Sequence, residues 1–359
     1  MIRIDGSEGE GGGQVLRTAL ALSMATSQPF QIEKIRAGRP RPGLMRQHLT
    51  AVQAATAIGC ARVEGDAIGS QSLTFEPQTA RAGSYTFSVG TAGSATLVLQ
   101  TVLTPLLLAE GPSTLTLEGG THNPWAPPFE FLDRVFLPAV RRMGPRVSVT
   151  LERHGFYPAG GGRFTVSIEP VKRLVPVESL ERGEIIERRV RGLVAHLPRH
   201  IADREVKTAL HLLNWNSEAG TTEIIDGAAG PGNIVFVEMH GEHASEICTG
   251  FGESGVAAEA VANRAAHEAR RYLAAGVPVG CHLADQLLPL YALAGAGALR
   301  TMGLSRHART NADIVKRFLN VEIDAHDEGR DVVRVEVRGV PPERRRRDGG
   351  ATLNEEASR

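Results

Sequence analysis

Cysteine is scarce in this sequence: Cys60, Cys248 and Cys281 are far apart and odd in number. That excludes a disulfide framework and a zinc site built on paired cysteines, and it fits a reducing, cytoplasmic setting. Net charge is lacking too. Forty Lys and Arg cancel forty Asp and Glu, so a nucleic acid has to be met by a local basic patch rather than by the whole field. No apolar run is long enough to span a bilayer, and Met1 leads straight into the strand-like IRID without a leader pattern, so no membrane partner is expected. The glycine-rich turn GSEGEGGG, Gly6 to Gly13, lacks the Gly-Lys-Ser/Thr of a Walker loop. Its acidic residues Glu8 and Glu10 would also oppose a pyrophosphate in a dinucleotide fingerprint.

What is present describes an ordinary globular chain. It has 359 residues, 42% hydrophobic and 22% charged, a length that favours two domains over a single core. Strand, glycine-rich turn, apolar helix, strand, basic loop, second helix and two strands follow one another from IRID to LTFEP. The same order returns from YTFSVG to RFTVSIEP, and again from HLADQLLPLYALAGAGA to VVRVEV. The pattern predicts an α/β fold of three β-α-β-α-β-β units with a period of roughly 80 residues, helices packed together and sheets outside.

The third unit is interrupted. Residues 181–275 carry their own alternation of strands and helices and read as a small α/β domain inserted into a body of residues 1–180 and 276–340. Residues 341–359 are apolar-poor, and their run Arg344 to Arg347 reads as a solvated, disordered tail.

In each unit the loop after the middle strand is polar: Arg36 to Arg41, then His122 and Asn123, then Arg306 to Arg309. RAGRPRPGLMRQH concentrates Arg36, Arg39, Arg41, Arg46 and His48 on a chain that its prolines should keep extended. Such a cluster suits a terminal phosphate or an RNA backbone, a solvated basic face being the alternative. SRHARTN sets His307 between Arg306 and Arg309, before a helix that Thr310 or Asn311 is positioned to cap. His307 is either a surface loop residue or a fixed nucleophile with one ring nitrogen open. Glu10, a carboxylate among glycines, is a candidate for holding Mg²⁺ beside nucleotide phosphates, with a metal-free turn as the alternative. HGFYPAGGGRF reads as a tight turn. HGEH, His240 to His243, has the wrong spacing for a helical zinc pair.

Taken together, GEGGGQ-LR, RAGR-RPGL-RQHL, GTAGS-TLVLQT, HGFYPAGGG, HLADQ and H-x-x-TN closely resemble the RNA 3′-terminal phosphate cyclase family, from Ile2 to about Val337. The resemblance implies three repeats with an inserted α/β domain. It also implies conversion of an RNA 3′-phosphate end to a 2′,3′-cyclic phosphodiester, with ATP and a divalent metal, Mg or Mn. His307 corresponds to the histidine that becomes adenylylated and Glu10 to the carboxylate near metal and triphosphate. Gln100, His282, Leu283, Ala284, Asp285 and Gln286 correspond to ATP-contacting positions, and Arg17, Arg36, Arg39, Arg46 and His48 to basic positions around the phosphates. His282 stands where relatives can carry tyrosine, which implies weaker or pH-sensitive stacking on adenine. Phe164 stands where a smaller aliphatic is usual. Cyclase-like ribosome-assembly factors, which lack the nucleophile, and enolpyruvyl transferases, which share the repeat, are the alternative readings. His307, Glu10 and HLADQ together argue against the first; the second requires no nucleophilic histidine and no nucleotide, and incubation with labelled ATP separates it.

Overall fold

The structure, a computed structural model, describes residues 1–341; the expectation of a disordered tail falls, from residue 342 on, outside the described residues. The strands of the described residues form four four-stranded sheets. In the first repeat β1 (Ile2–Asp5), α1 (Gly13–Thr26), β2 (Phe30–Glu33), α2 (Arg46–Gly59), β3 (Arg62–Glu64) and β4 (Leu73–Glu76) give the order β1-β2-β4-β3. β1 and β2 are parallel and the rest antiparallel. The second repeat has β5 (Ser84–Ser88), α3 (Ala95–Leu106) and β6 (Ser113–Gly119). Next come α4 (Phe129–Phe131), a π-helical turn (Leu132–Phe136), α5 (Leu137–Arg141), β7 (Arg146–Arg153) and β8 (Gly162–Glu169). Their sheet order, β5-β6-β8-β7, is that of the first repeat.

The third repeat opens with β9 (Val177–Ser179), a strand too short for its pattern to show in the sequence. The chain then leaves for β10 (Ile185–Ala195), α6 (His200–Leu213), β11 (Gly220–Ile224), β12 (Gly232–Gly241), β13 (Ser245–Phe251) and α7 (Ala258–Ala275), whose sheet runs β11-β10-β12-β13. It returns as α8 (Cys281–Ala294), β14 (Ala296–Met302), α9 (Arg306–Phe318), β15 (Val321–Gly329) and β16 (Val332–Gly339). β9 pairs parallel with β14, which gives the third sheet the same order as the other two.

The helices gather inside. α1 packs on α3 and α9, and α8 on α9. α1 is therefore buried almost all round, from Gln14 to Met24, as expected of a helix with partners on several sides. The inserted sheet obeys the period of two. Val190, Val235, Val237 and Cys248 face α6 and α7, while Leu193, Ile234, Phe236 and Ile247 join the core of the body.

Buried charges sit at the same junction. Glu238, fully buried, accepts hydrogen bonds from Arg134 of the π turn (2.8 Å) and Arg191 of β10 (2.7 Å).

Two local expectations are corrected. The loop from Arg36 to Gly43 is not extended: Ala37 N–H bonds to Lys34, Arg39 N–H to Arg36 and Gly43 N–H to Ile35. Arg36 takes a positive φ of 58°, and its guanidinium donates to the carbonyls of Arg41 and Gly43, both at 2.8 Å. Internal hydrogen bonds thus outweigh the preference of proline for extended backbone. The segment RHART is likewise not a loop but the first turn of α9. Ser305 is its cap, accepting from Ala308 N–H at 2.9 Å, and Thr310 and Asn311 lie inside the helix with their side chains turned to other partners.

Candidate active site

The parallel strands of the three repeats send their following loops and helix starts to one place, a cleft of about 510 Å³. Loops beyond the carboxyl ends of parallel strands are where such folds commonly bind ligands. The first repeat contributes Glu10, Arg17, Arg36, Arg39 and His48 to its lining, the second Gln100, and the third His282, Asp285, Gln286 and His307. Ten of the sequence-predicted residues therefore converge. Four do not line it. Leu283 and Ala284 have their side chains in the core, Arg41 is exposed, and Arg46 lies exposed on the first turn of α2.

The arginines flanking His307 in the sequence do not join it in the cleft. Arg306 is exposed and donates to the Gly9 carbonyl (3.1 Å), and Arg309 is exposed; neither lines the cleft.

His307 is placed by a chain of hydrogen bonds that the sequence did not announce. Asp285 of α8 accepts from the Ser305 hydroxyl (2.7 Å), which itself caps the helix bearing His307. Asn311, fully buried, donates to the Asp285 carbonyl (2.7 Å) and accepts from Thr18 (2.7 Å) and Gln14 (3.3 Å) on α1. Thr310 accepts from the backbone N–H of Glu10 at 3.0 Å. Gly9 makes that approach possible: its φ is +62°, and a Cβ there would lie 2.2 Å from the Thr310 hydroxyl. Gly13 is crowded by side chains instead, since a Cβ would come within 2.5 Å of His48 Nε2 and 2.8 Å of an Arg17 nitrogen.

The electrostatics follow from burial among cations. Burial, then the charges of Arg17, Arg39 and His282, lower the pKa of His307 below the usual imidazole value. Its ring is therefore neutral at pH 7, with Nδ1 3.6 Å from Glu10 Oε2. Burial, aided by Arg17, Arg36 and Arg39, pushes His48 down to about 3, so it too is neutral. Burial holds Arg17 at about 10, still a cation near neutrality, and raises Asp285 to about 6. His282 moves the other way, up to about 9, because Glu268 faces it. Positive charge thus gathers around an uncharged imidazole, an arrangement suited to an anionic ligand.

Glu10 is ion-paired with Arg39, yet neither of its buried carboxylate oxygens makes a regular hydrogen bond. That fits a hard divalent cation, which takes oxygen ligands. Among the described residues, His122, Glu130 and His154 form one further group of potential metal ligands, and Glu268 and His282 of the cleft, with Cys281, another. Both ring nitrogens of His122 are already engaged, by Thr121 (2.7 Å) and Glu130 (2.8 Å).

A sequence model of the RNA 3′-terminal phosphate cyclase family matches residues 8–325. A protein of that name from Koribacter versatilis is 53% identical over 91% of this chain and 92% of its own length. Others from Ectopseudomonas mendocina (47% over 94% of this chain and 98% of the relative) and Salmonella paratyphi C (48% over 94% and 97%) are similar to it. The chain belongs to the RNA 3′-terminal phosphate cyclase family. As a cyclase-family enzyme it keeps Glu10, His307 and every residue between them inside the matched span.

The cyclase cleft also has walls that sequence reasoning missed. Ile247, Thr249 and Phe251 of β13 and Glu268 of α7 close one side, and Phe131 with the proline-rich segment from Pro124 to Pro128 another. The alternation of Ile247, Thr249 and Phe251 was visible in the sequence, but not which face of the inserted sheet meets the body.

Proposed function

We propose that this enzyme uses ATP to convert the 3′-terminal phosphate of an RNA into a 2′,3′-cyclic phosphodiester, through a histidine–AMP adduct at His307 and an RNA 3′-adenylylated intermediate. The observation that carries the reading is His307 itself. It is a neutral imidazole with Nδ1 buried beside Glu10, on a half-exposed ring that lines a cleft containing Arg17, Arg36 and Arg39. With Nδ1 turned inward, Nε2 is the nitrogen that attacks the α-phosphorus of ATP, breaking its bond to pyrophosphate. Arg17 and Arg39 hold the leaving charge. An oxygen of the RNA 3′-phosphate then takes the AMP from His307. Finally the vicinal 2′-OH gives up its proton and attacks the 3′-phosphorus, expelling AMP; this step needs little beyond alignment because the nucleophile is tethered to its target.

Gln100, Asp285 and Gln286 are the polar groups available to the nucleotide, with His282 and Phe251 offering ring faces. Glu10 would hold a divalent cation, Mg²⁺ or Mn²⁺, which when bound supplies charge neutralisation at the phosphates. A cytoplasmic location belongs to the same reading, since all three cysteines are free thiols and no helix among the described residues is long and apolar enough to cross a membrane.

The test is incubation of the purified protein with ATP labelled at the α-phosphate. The expected result is covalent label that is lost in acid and survives alkali, as a P–N bond requires, and that is absent from His307→Asn. Label on His307→Asn at the wild-type level would move the nucleophile elsewhere, with His48 next to be tested.

A further inference from the structure

Among the described residues Trp125 is the most exposed of the large apolar side chains, at 77%, and the fold gives no reason for it. It stands on the loop between β6 and α4, the counterpart in the second repeat of the loop bearing Arg36 and Arg39 and of the turn bearing His307. All three line the same cleft. The loop is tightly held. Phe129 N–H donates to the Thr121 carbonyl (3.1 Å) and closes it. The Asn123 amide donates to the Ala92 carbonyl (2.6 Å), and Thr96 donates to the Pro127 carbonyl (2.9 Å). Its backbone is therefore fixed while its one large ring faces solvent. Beside it Tyr157, 53% exposed, meets the indole edge-to-face with ring centroids 5.5 Å apart and planes at 81°. A neighbour set at that angle braces the indole without stacking on it.

We propose that Trp125, braced by Tyr157, is the stacking platform for a nucleobase at the 3′ end of the RNA substrate, either the terminal base or the one before it. This rests on the proposed activity and adds the subsite that holds the strand. Two observations favour a single-stranded nucleic acid as occupant. The ring is continuous with a cleft that also presents the Arg36 and Arg39 guanidiniums, and basic groove plus exposed aromatic is how single strands are bound without sequence preference. The rigid loop also means that little order has to be imposed on binding. Stacking uses the face common to all bases, so the subsite selects an unpaired end rather than a sequence.

The test uses 3′-phosphorylated oligoribonucleotides carrying 2-aminopurine as the last or the penultimate base, mixed with the full-length protein without ATP. Stacking on the indole should quench one of the two probes, and Trp125→Ala should abolish the quenching. In turnover, Trp125→Ala should raise the KM for RNA by about 10-fold or more, the order expected for losing one base–aromatic stack. The rise should be similar for all four terminal bases, and Trp125→Phe should recover part of it. Because the quenching needs no catalysis, it can fail while self-adenylylation succeeds, which would overturn the platform and leave the proposed function standing. An equal rise in the KM for ATP would place the ring on the nucleotide and overturn it too. So would a dimer, seen by sedimentation, that Trp125→Ala dissociates, because the ring would then be covered by a second copy.

Discussion

The Thr310 hydroxyl accepts a 3.0 Å hydrogen bond from the backbone N–H of Glu10 and donates one of 2.8 Å to the Arg306 carbonyl. Two segments 300 residues apart in the chain are thereby joined: the glycine-rich turn, with its candidate metal-holding carboxylate, and the helix that presents His307. Thr310→Val keeps the shape and removes both bonds. The stability cost should be about 1 kcal/mol, whereas adenylylation of His307 should slow by about 10- to 100-fold, because reacting groups lose their mutual placement. Thermal unfolding and the rate of label uptake measure the two separately. Equal, small effects on both would show that the bond does not position the site.

Arg39 and Arg46, equivalent in the sequence, should behave differently. Arg39 lines the cleft and pairs with Glu10; Arg46 is exposed outside it. Arg39→Ala should weaken transfer of AMP to a 3′-phosphorylated oligonucleotide by about 1.5–3 kcal/mol, the range for a hydrogen bond to a charged group, and flatten its salt dependence. Arg46→Ala should stay close to wild type in the same assay. A matching loss in both variants would mean that the cluster acts as a diffuse basic face.

We treat residues 181–275 as an inserted domain, and the buried charge at its junction with the body is the sensitive point. Glu238→Ala would remove the partner that Arg191 and Arg134 share, leaving Arg191 with Glu223 at 3.1 Å and Glu130 at 3.6 Å. A loss of about 1–3 kcal/mol is expected on denaturant unfolding. Removing residues 181–275 with a short flexible join should leave a body that still unfolds cooperatively. It should do so at a lower temperature, because the core would lose Leu193, Ile234, Phe236 and Ile247. Non-cooperative melting of that deletion would make the insert part of one indivisible core.

Acid should act through two histidines, with different readouts. The pKa of His307 is lowered, so its neutral form persists below pH 6.5. Label uptake should therefore hold from neutrality to near pH 6, where protonation of Asp285 joins that of His307 in lowering it. Arg39→Ala removes a neighbouring positive charge and should move the fall to higher pH. His48 bears on stability, its pKa dropping from 6.5 to about 3 on folding. Above pH 6.5 it is neutral in both states and contributes nothing. Between 6.5 and 3 the unfolded chain takes up a proton that the folded one refuses, so stability falls with pH by up to about 1.4 kcal/mol per unit. His48→Gln should show a shallower decline on urea unfolding at pH 7 and pH 5.

The sequence by itself determined the repeat, because helix periodicity and turn residues are local and recur at each copy. It also raised His307, Glu10 and the basic loop as candidates, each with a bland alternative that only the resemblance to the cyclase family set aside. Tertiary structure alone decided what surrounds them. β9 gains its identity only by pairing with β14, and three residues carry too little pattern to be recognised alone. Ser305 caps α9 because Asp285 holds its hydroxyl, a contact between separate elements. The arginines beside His307 in sequence were passed over for Arg17 and Arg39 of another repeat, since a helix turns its neighbours to different faces. The wall of Ile247, Thr249 and Phe251 likewise depends on which face of the inserted sheet meets the body. Alternation along a strand shows that two faces differ, but only packing chooses between them.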